Sequence, residues 1–268
     1  MVYETIIVDD ESNVCTIILN RPEVLNALNQ NMCRELYIAL EDIEHDSNIK
    51  AVVITGSGTR AFSAGADIHE MVDKADTDTG LPEKTLEQIW LPWKIARFPK
   101  PVIGAINGLA YGGGAVIASS VDIRVGCEFS KFKFLAAAYG RLNATWSLPM
   151  QVGWPVAKEL LFTARVLPAD EALKIGLLNH MVGTDQVLNK AKSIAMNIAE
   201  NDPNMVAGIK ELLVSNIGAS WSEMFEIELD MTSGKLKPTS VAEGFKDFLA
   251  LIQYLIFFSL SILILFSD

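Results

Sequence analysis

Cysteine and positive charge are both scarce in this sequence of 268 residues. Its three cysteines are too few and too scattered for a disulfide framework or a metal cage, so we expect no metal site. Lys and Arg total 22 against 33 Asp and Glu, a net charge of −11, and no basic cluster is present. Because binding to nucleic acid needs clustered positive charge, the composition excludes a nucleic-acid partner.

The N-terminus lacks the basic and apolar regions of a secretory signal, so the expected location is the cytoplasm. Hydrophobic residues make up 50% of the chain and charged residues 21%, a composition that excludes disorder. The length suits one large domain, or a large domain with a small appendage.

Short β-branched runs alternate with helical patterns in the first half of the chain. Residues 5–8 and 14–19 flank a polar turn and predict a hairpin. Asn29 follows as a predicted cap of an amphipathic helix. Three further apolar runs, 51–55, 101–106 and 121–125, predict buried strands. Strands that alternate with helices indicate an α/β fold with parallel pairing.

The second half, after about residue 148, is predicted to be mostly helical. Gly or Pro often stands at the junctions between its helical patterns, as expected where helices end and begin. The predicted helices are 156–163, 169–175, 185–201 and 204–215.

Two glycine-containing segments could carry chemistry. In the first, residues 61–67, small side chains would let a ligand approach the backbone, and Asp67 can cap the following helix. In the second, residues 107–114, three glycines precede a helix and would leave free N–H groups at its positive end. Such amides suit a developing oxyanion, and the alternative is a tight turn with a close strand–helix contact.

Five motifs together resemble the crotonase superfamily, which includes enoyl-CoA hydratases and isomerases. They occur in the order that the family shows, and the resemblance covers roughly residues 3–250. The motifs are N-R-P-E-V-L-N-A-L at 20–28, A-F-S-A-G-A-D at 61–67, K-P-V-I-G-A-I-N-G at 100–108, V-D-I-R at 121–124 and A-D-E-A-L-K-I-G-L-L at 169–178.

The resemblance implies an α/β fold with a ββα spiral core over residues 1–200 and a helical trimerisation region over residues 201–250. An apolar tail over residues 251–268 would follow. It also implies an acyl-CoA thioester as the ligand, with coenzyme A as part of the substrate and no tightly bound cofactor. The expected assembly is a homotrimer or a dimer of trimers.

The same resemblance assigns the site. The backbone amides of Ala66 and Gly113 would form an oxyanion hole that holds the thioester oxygen while an enolate develops. Residues implied to bind the substrate or its CoA portion are Arg21, Val24, Leu25, Ala64, Ala66, Asp67, Ile68, Gly112, Gly113 and Tyr139.

Two positions depart from the family pattern. Many members carry catalytic glutamates there, whereas this chain has Val116 and Ala136. The polar groups that remain near the expected pocket are Tyr139, Asn143, Thr145, Tyr111 and His69. Two functions therefore stay open. One is an acyl-CoA enzyme with another proton-transfer group, including a thioester hydrolase or decarboxylase. The other is an inactive acyl-CoA-binding pseudoenzyme.

Residues 249–266 form a run of 18 residues without a charge, where the family usually has a short basic end. As a helix this run would span about 27 Å, close to the thickness of a bilayer core. One interpretation is a membrane anchor that adds membrane association to the cytoplasmic location. The alternatives are an altered reading-frame end and an extra helix buried in an oligomer.

Overall fold

The computed structural model describes residues 2–75, 85–246 and 248–254. The chain divides into two units, residues 1–214 and residues 215–268, of which the first carries both glycine-containing segments. The strands are β1 Ile6–Glu11, β2 Val14–Leu19, β3 Ala51–Gly56, β4 Ala61–Ser63, β5 Val102–Ile106, β6 Leu109–Tyr111, β7 Ile123–Gly126, β8 Lys131–Lys133, β9 Leu167–Pro168 and β10 His180–Met181.

Helices follow or separate most of these strands. They are α1 Gln30–His45, α2 Ile68–Asp73, α3 Leu86–Arg97, α4 Gly113–Ser120, α5 Leu148–Val152, α6 Trp154–Thr163, α7 Ala169–Lys174, α8 Val187–Ala199, α9 Pro203–Ser215, α10 Trp221–Ser233 and α11 Val241–Gly244. Short 3₁₀ turns lie at Pro22–Val24, Ala137–Tyr139 and Thr184–Gln186.

The first sheet has six strands in the order β1-β2-β3-β5-β7-β10. The strands β1 and β2 form the predicted antiparallel hairpin, and every later pair in this sheet is parallel. The predicted strand at 121–125 begins later than expected, at Ile123. The reason is that Val121 still donates its N–H to Ile117 and so ends α4.

The second sheet has four strands in the order β4-β6-β8-β9. Strands β4, β6 and β8 are parallel, and β9 pairs with β8 in the antiparallel sense. The short strands β4 and β6 lie immediately before the two glycine-containing loops, so this sheet determines where those loops meet.

Two helices close opposite sides of the first sheet with different packing. Helix α1 buries an apolar stripe that includes Met32, Leu36 and Leu40, and Asn29 caps it by accepting the Met32 N–H at 2.9 Å. This confirms the predicted cap. Helix α8 contacts β3, β5 and β7 through small residues at four-residue spacing, among them Ala191 and Ala195. Small side chains there allow the helix to pack close to the sheet.

In the second unit, α10 begins with a capping box. The Ser220 hydroxyl accepts the Glu223 N–H, and the Glu223 carboxylate accepts the Ser220 N–H at 2.7 Å. None of the helices that the structure describes is both long and apolar enough to cross a membrane. Residues 255–266 of the apolar run lie outside the described residues, so the interpretations of the tail stay predictions.

Candidate active site

The two glycine-containing loops leave the same edge of the second sheet. Strand β4 pairs with β6 in parallel, with Ala61 opposite Leu109 and Ser63 opposite Ala110. Because the carboxyl ends of parallel strands meet at one edge, the segment after Ser63 must lie beside the segment after β6. Two loops separated by more than 40 residues in the sequence are thereby brought into contact.

Glycine at position 65 is what allows this contact to be close. Gly65 has φ +92°, and a Cβ there would lie 2.5 Å from the Tyr111 carbonyl oxygen and 2.8 Å from the Gly113 nitrogen. A Cβ on Gly114 would likewise lie 2.4 Å from the Ser63 carbonyl oxygen. Neither approach is compatible with a larger residue, so both glycines are required by packing.

Asn26 fixes the 20–28 segment against β4. Its side chain is fully buried and donates to the carbonyl oxygens of Ser57 and Ala61, both at 3.0 Å. Its Oδ1 accepts the Arg21 N–H at 3.0 Å. A buried amide satisfied on both sides holds the backbone in one place. This arrangement positions Leu28 for its contact with the first loop.

The Ala66 N–H points away from that contact. Gly65 accepts the Leu28 N–H at 2.7 Å, and Asp67 donates to the Leu28 carbonyl at 3.1 Å. In a trans peptide the carbonyl and the following N–H point in opposite directions. Since the Gly65 carbonyl faces Leu28, the Ala66 N–H faces the other way. It donates to no group among the described residues.

The Gly113 N–H is free for a related reason. Gly113 is the first residue of α4, and the carbonyl of Gly112 accepts the Val116 N–H at 3.1 Å within the helix. The Gly113 N–H therefore points out of the helix N-terminus and has no acceptor in the described part of the chain. The helix dipole makes this end of α4 attractive to negative charge.

The two amides lie close together. The Ala66 nitrogen is 3.6 Å from the point that a Cβ on Gly113 would occupy. Both residues line a cavity of about 510 Å³, a size typical of small-molecule sites. Much of the wall is apolar, with Leu28, Leu91 and Ile117 among its residues.

Seven of the predicted site residues line this cavity and five do not. On the wall are Ala64, Ala66, Ile68, Gly112, Gly113, Ala136 and Tyr139. Away from it are Arg21, Val24, Leu25, Asp67 and Val116. The structure thus brings together the residues of the glycine loops with the segment around Ala136.

Arg21 and Asp67 form an ion pair behind the wall. Arg21 Nη1 lies 2.8 Å from Asp67 Oδ2 and also donates to the Ala27 carbonyl at 2.8 Å. Burial alone would raise the pKa of the Asp67 carboxyl, but hydrogen bonds from Arg21 and the Glu70 N–H outweigh burial and lower that pKa. Asp67 also caps α2, which confirms the predicted cap. In this structure the pair joins the 20–28 segment to α2.

Val116 and Ala136 occupy different environments. Val116 is buried in the core at 7% exposure, and Ile117 contributes to the wall at that turn of α4. Ala136 is equally buried at 8% exposure, but it does border the cavity. Neither side chain can transfer a proton.

Of the remaining polar candidates, Tyr139 and Asn143 line the cavity. Tyr111, Thr145 and His69 are not among the wall residues, although Tyr111 and His69 are next in sequence to residues that are. His69 and Thr145 are exposed, and Tyr111 is partly buried on β6.

Five polar wall residues were missed from the sequence, namely Gln30, Glu70, Lys74, Gln88 and Arg141. Glu70 accepts the Gln30 backbone N–H at 2.8 Å and the Lys74 ammonium at 3.2 Å, and Lys74 also donates to the Gln30 side chain. The four-residue spacing of Glu70 and Lys74 on a helix was the available signal. Both oxygens of this carboxylate are therefore engaged by protein groups.

Cys33 also lines the cavity, but it is not a nucleophile. Burial, with a smaller effect from the charges of Glu70 and Glu87, raises the pKa of its thiol to about 12. The reactive form of cysteine is the thiolate, which is negligible at neutral pH for such a thiol. Cys33 therefore contributes surface to the wall.

Comparison with known proteins identifies what the chain resembles. The family model described as enoyl-CoA hydratase/isomerase matches residues 9–253. A short-chain-enoyl-CoA hydratase from Clostridium acetobutylicum is 38% identical over 221 residues, which cover 80% of this chain and 82% of the relative. A crotonyl-CoA hydratase from Syntrophomonas wolfei is 36% identical over 205 residues, covering 74% and 76% of the two chains.

Solved structures agree with this result. An enoyl-CoA hydratase from Bacillus anthracis superposes with a TM-score of 0.82 at 29% identity, covering 92% of this chain and 96% of the other. A putative enoyl-CoA hydratase/isomerase (crotonase) from Legionella pneumophila also gives a TM-score of 0.82, at 28% identity and the same coverage.

Proposed function

The chain belongs to the enoyl-CoA hydratase/isomerase family and has the crotonase fold, and we propose that it acts on an acyl-CoA thioester by stabilising an enolate-type oxyanion. The backbone amides of Ala66 and Gly113 are the proposed donors. The cavity beside them would hold the acyl group, with coenzyme A entering as part of the substrate.

The observation that carries this proposal is the pair of unsatisfied amides on one cavity wall. Ala66 is exposed and Gly113 is half-buried, and both line the cavity, so their N–H groups are accessible to an entering ligand. Two such groups within a few ångströms, both lacking a described protein acceptor, form a preorganised place for an oxygen atom. A thioester carbonyl gains negative charge when an enolate forms, so both donors would bind the transition state more tightly than the ground state.

The helix that begins at Gly113 adds to this effect. Its N-terminal amides and dipole lie directly behind the proposed oxygen site, and no acidic side chain stands in its first turn. Main-chain donors on a fixed strand–helix junction require little reorganisation when charge develops.

A second candidate function is an acyl-CoA-binding protein without turnover. The observation in its favour is that Val116 and Ala136 supply no acid, while the one carboxylate among the described wall residues, Glu70, is engaged by Gln30 and Lys74. Hydration needs a group that delivers and removes protons. Thioester hydrolysis and decarboxylation place fewer demands on side-chain acids, and both belong to the enzyme hypothesis.

The two functions are separated by measuring binding and turnover together. We expect the full chain to bind crotonyl-, malonyl- and 3-hydroxybutyryl-CoA in calorimetry, and to convert at least one of them. Enoyl absorbance reports hydration or dehydration, carbon dioxide release reports decarboxylation, and free thiol reports thioester hydrolysis. Binding without any conversion would select the pseudoenzyme. Failure to bind any CoA ester would refute the acyl-CoA function altogether.

Self-association through the helical region at residues 201–250 is part of the same proposal. Helix α10 exposes Trp221 and Phe225 at 91% and 64%, a four-residue spacing that places both on one side of the helix. Exposed apolar side chains in such an arrangement favour a protein interface. Sedimentation analysis should give a trimer or hexamer, and a monomer at micromolar concentration would contradict this assembly.

A further inference from the structure

Arg141 is a cation on the cavity wall whose charge the protein does not neutralise. Its side chain forms no ion pair or hydrogen bond with any residue in the described part of the chain, although it is partly buried. The other two charged wall residues, Glu70 and Lys74, neutralise each other. Although the chain has a net charge of −11, this arginine has no acidic partner among the described residues, so its guanidinium is available to an anionic ligand in the cavity.

Asn143, two residues later, also presents a polar side chain to the cavity. It lines the cavity, its Oδ1 is shielded from solvent, and that oxygen has no hydrogen-bond partner among the described residues. The oxygen and nitrogen of an amide project from opposite sides of the carbonyl carbon. With the oxygen shielded, the NH₂ group is the end that can donate to a ligand.

The loop that carries both residues is held firmly in place. Arg141 donates its backbone N–H to the Ala136 carbonyl at 2.8 Å. Ala144 is fully buried with a left-handed φ of +54°, and its carbonyl accepts the Leu148 N–H at 3.0 Å. Such a backbone conformation persists only where surrounding contacts enforce it. The two donors are therefore presented on a defined loop.

The segment that leads into this loop borders the glycine loop that carries Gly113. Leu135 Cδ1 lies 3.9 Å from the Cβ position of Gly112, next to the amide of Gly113. Ala136 follows directly and also lines the cavity. The Arg141 backbone N–H is hydrogen-bonded to the Ala136 carbonyl, so Arg141 is tied to the segment that borders the glycine loop, and its side chain lines the same cavity as the two amides.

We propose that the cavity selects acyl-CoA esters whose acyl group carries a carboxylate, which Arg141 binds together with the Asn143 amide. This inference rests on the acyl-CoA function proposed above. The planar guanidinium can donate two parallel hydrogen bonds to a carboxylate, and the neutral amide adds a third donor without opposing charge. Monothioesters of short dicarboxylic acids are the substrate class that fits this arrangement.

The test compares two ligands that differ only in the terminal group. Succinyl-CoA and butyryl-CoA share a four-carbon acyl chain, and only the former has a carboxylate. We expect the native protein to bind succinyl-CoA about tenfold more tightly, as for a charge-assisted pair in a partly buried site. Equal affinities, or a preference for butyryl-CoA, would overturn the inference.

Variants identify the residue responsible. Arg141→Met should abolish the preference by lowering the affinity for succinyl-CoA much more than that for butyryl-CoA, whereas Arg141→Lys should keep part of the preference because the charge remains. Lys131→Met is the matched control, since it removes one positive charge from an exposed side chain on β8 that does not line the cavity. It should keep the full preference.

Arg141 could instead bind the phosphates of coenzyme A, and two outcomes would show this and overturn the inference. One is an equal loss of affinity for both esters in Arg141→Met. The other is the absence of any preference between succinyl- and butyryl-pantetheine, which lack the phosphates. Should neither CoA ester bind to the native protein, the acyl-CoA function itself fails. Binding of both with equal affinity refutes only the role of Arg141.

Discussion

Replacing Gly113 with proline removes one N–H from the cavity wall and places the ring Cδ where that hydrogen was. The Gly113 N–H makes no hydrogen bond to a described protein group, so proline breaks none. Gly113 is the first residue of α4, a position that proline favours. The preceding Gly112, with φ 50° and ψ −118°, is outside the α region that a following proline disfavours.

Gly113→Ala is the matched control because it adds the same Cβ and keeps the N–H. That Cβ would lie 3.1 Å from Leu28 Cδ1, the far end of a flexible side chain that can shift slightly. Removal of one oxyanion donor typically lowers kcat by about 10²–10³, or about 3–4 kcal/mol. We therefore expect the proline variant to be slower than the alanine variant by that factor, with similar thermal stability.

Two measurements check this expectation. The first is kcat on the ester that the native protein converts best. The second is the absorbance of a bound conjugated ester such as hexadienoyl-CoA, which shifts to longer wavelength when its carbonyl is polarised and needs no turnover. Equal kcat values and equal spectral shifts in the two variants would refute the assignment of this amide.

Three other perturbations have defined outcomes. Gly65→Ala should lower the melting temperature strongly and abolish binding of CoA esters, because its Cβ would meet backbone atoms at 2.5 and 2.8 Å. Gly140→Ala, with a similar φ of +64° and open space around it, should cost only about 1–2 kcal/mol. Val116→Glu should lower the melting temperature more than Ala136→Glu, because Val116 packs in the core and only Ala136 borders the cavity; equal melting temperatures of the two variants would contradict this. Burial alone would raise the pKa of Glu35, but hydrogen bonds from two backbone amides and a hydroxyl lower this pKa below its ordinary value of 4.5. The stability that the ionised carboxylate contributes should therefore be present above pH 4.5 and disappear as the pH falls further. The difference in unfolding free energy between native protein and Glu35→Gln should shrink over that acid range, and a constant difference from pH 7 to pH 3 would count against it.

Local sequence patterns predicted most of the strands and helix caps around the site. Alternating apolar runs located the hairpin and the parallel strands, and Asn29 and Asp67 were identified as helix caps because capping depends on neighbouring residues alone. The glycine loops were identified by composition. Their meeting was implied only by family resemblance, since the parallel pairing of β4 and β6 joins residues far apart in the sequence.

The direction in which individual side chains point was harder to predict. A helix turns about 100° per residue, so Val116 and Ile117 face different directions although both follow Gly113 closely. Spacing alone could not show that Ile117 would line the cavity. Arg21 and Asp67 are 46 positions apart, and nothing local shows that they form an ion pair.

The proposed donors belong to the main chain, and this affects how the cavity would look in a mutational survey. Alanine keeps its N–H, Ala66 is already alanine, and alanine at position 113 leaves the donor in place. A systematic alanine scan would therefore report on the side chains of the wall and leave both proposed donors in place. Ester-for-amide replacement in the backbone, or proline, is the substitution that reaches them.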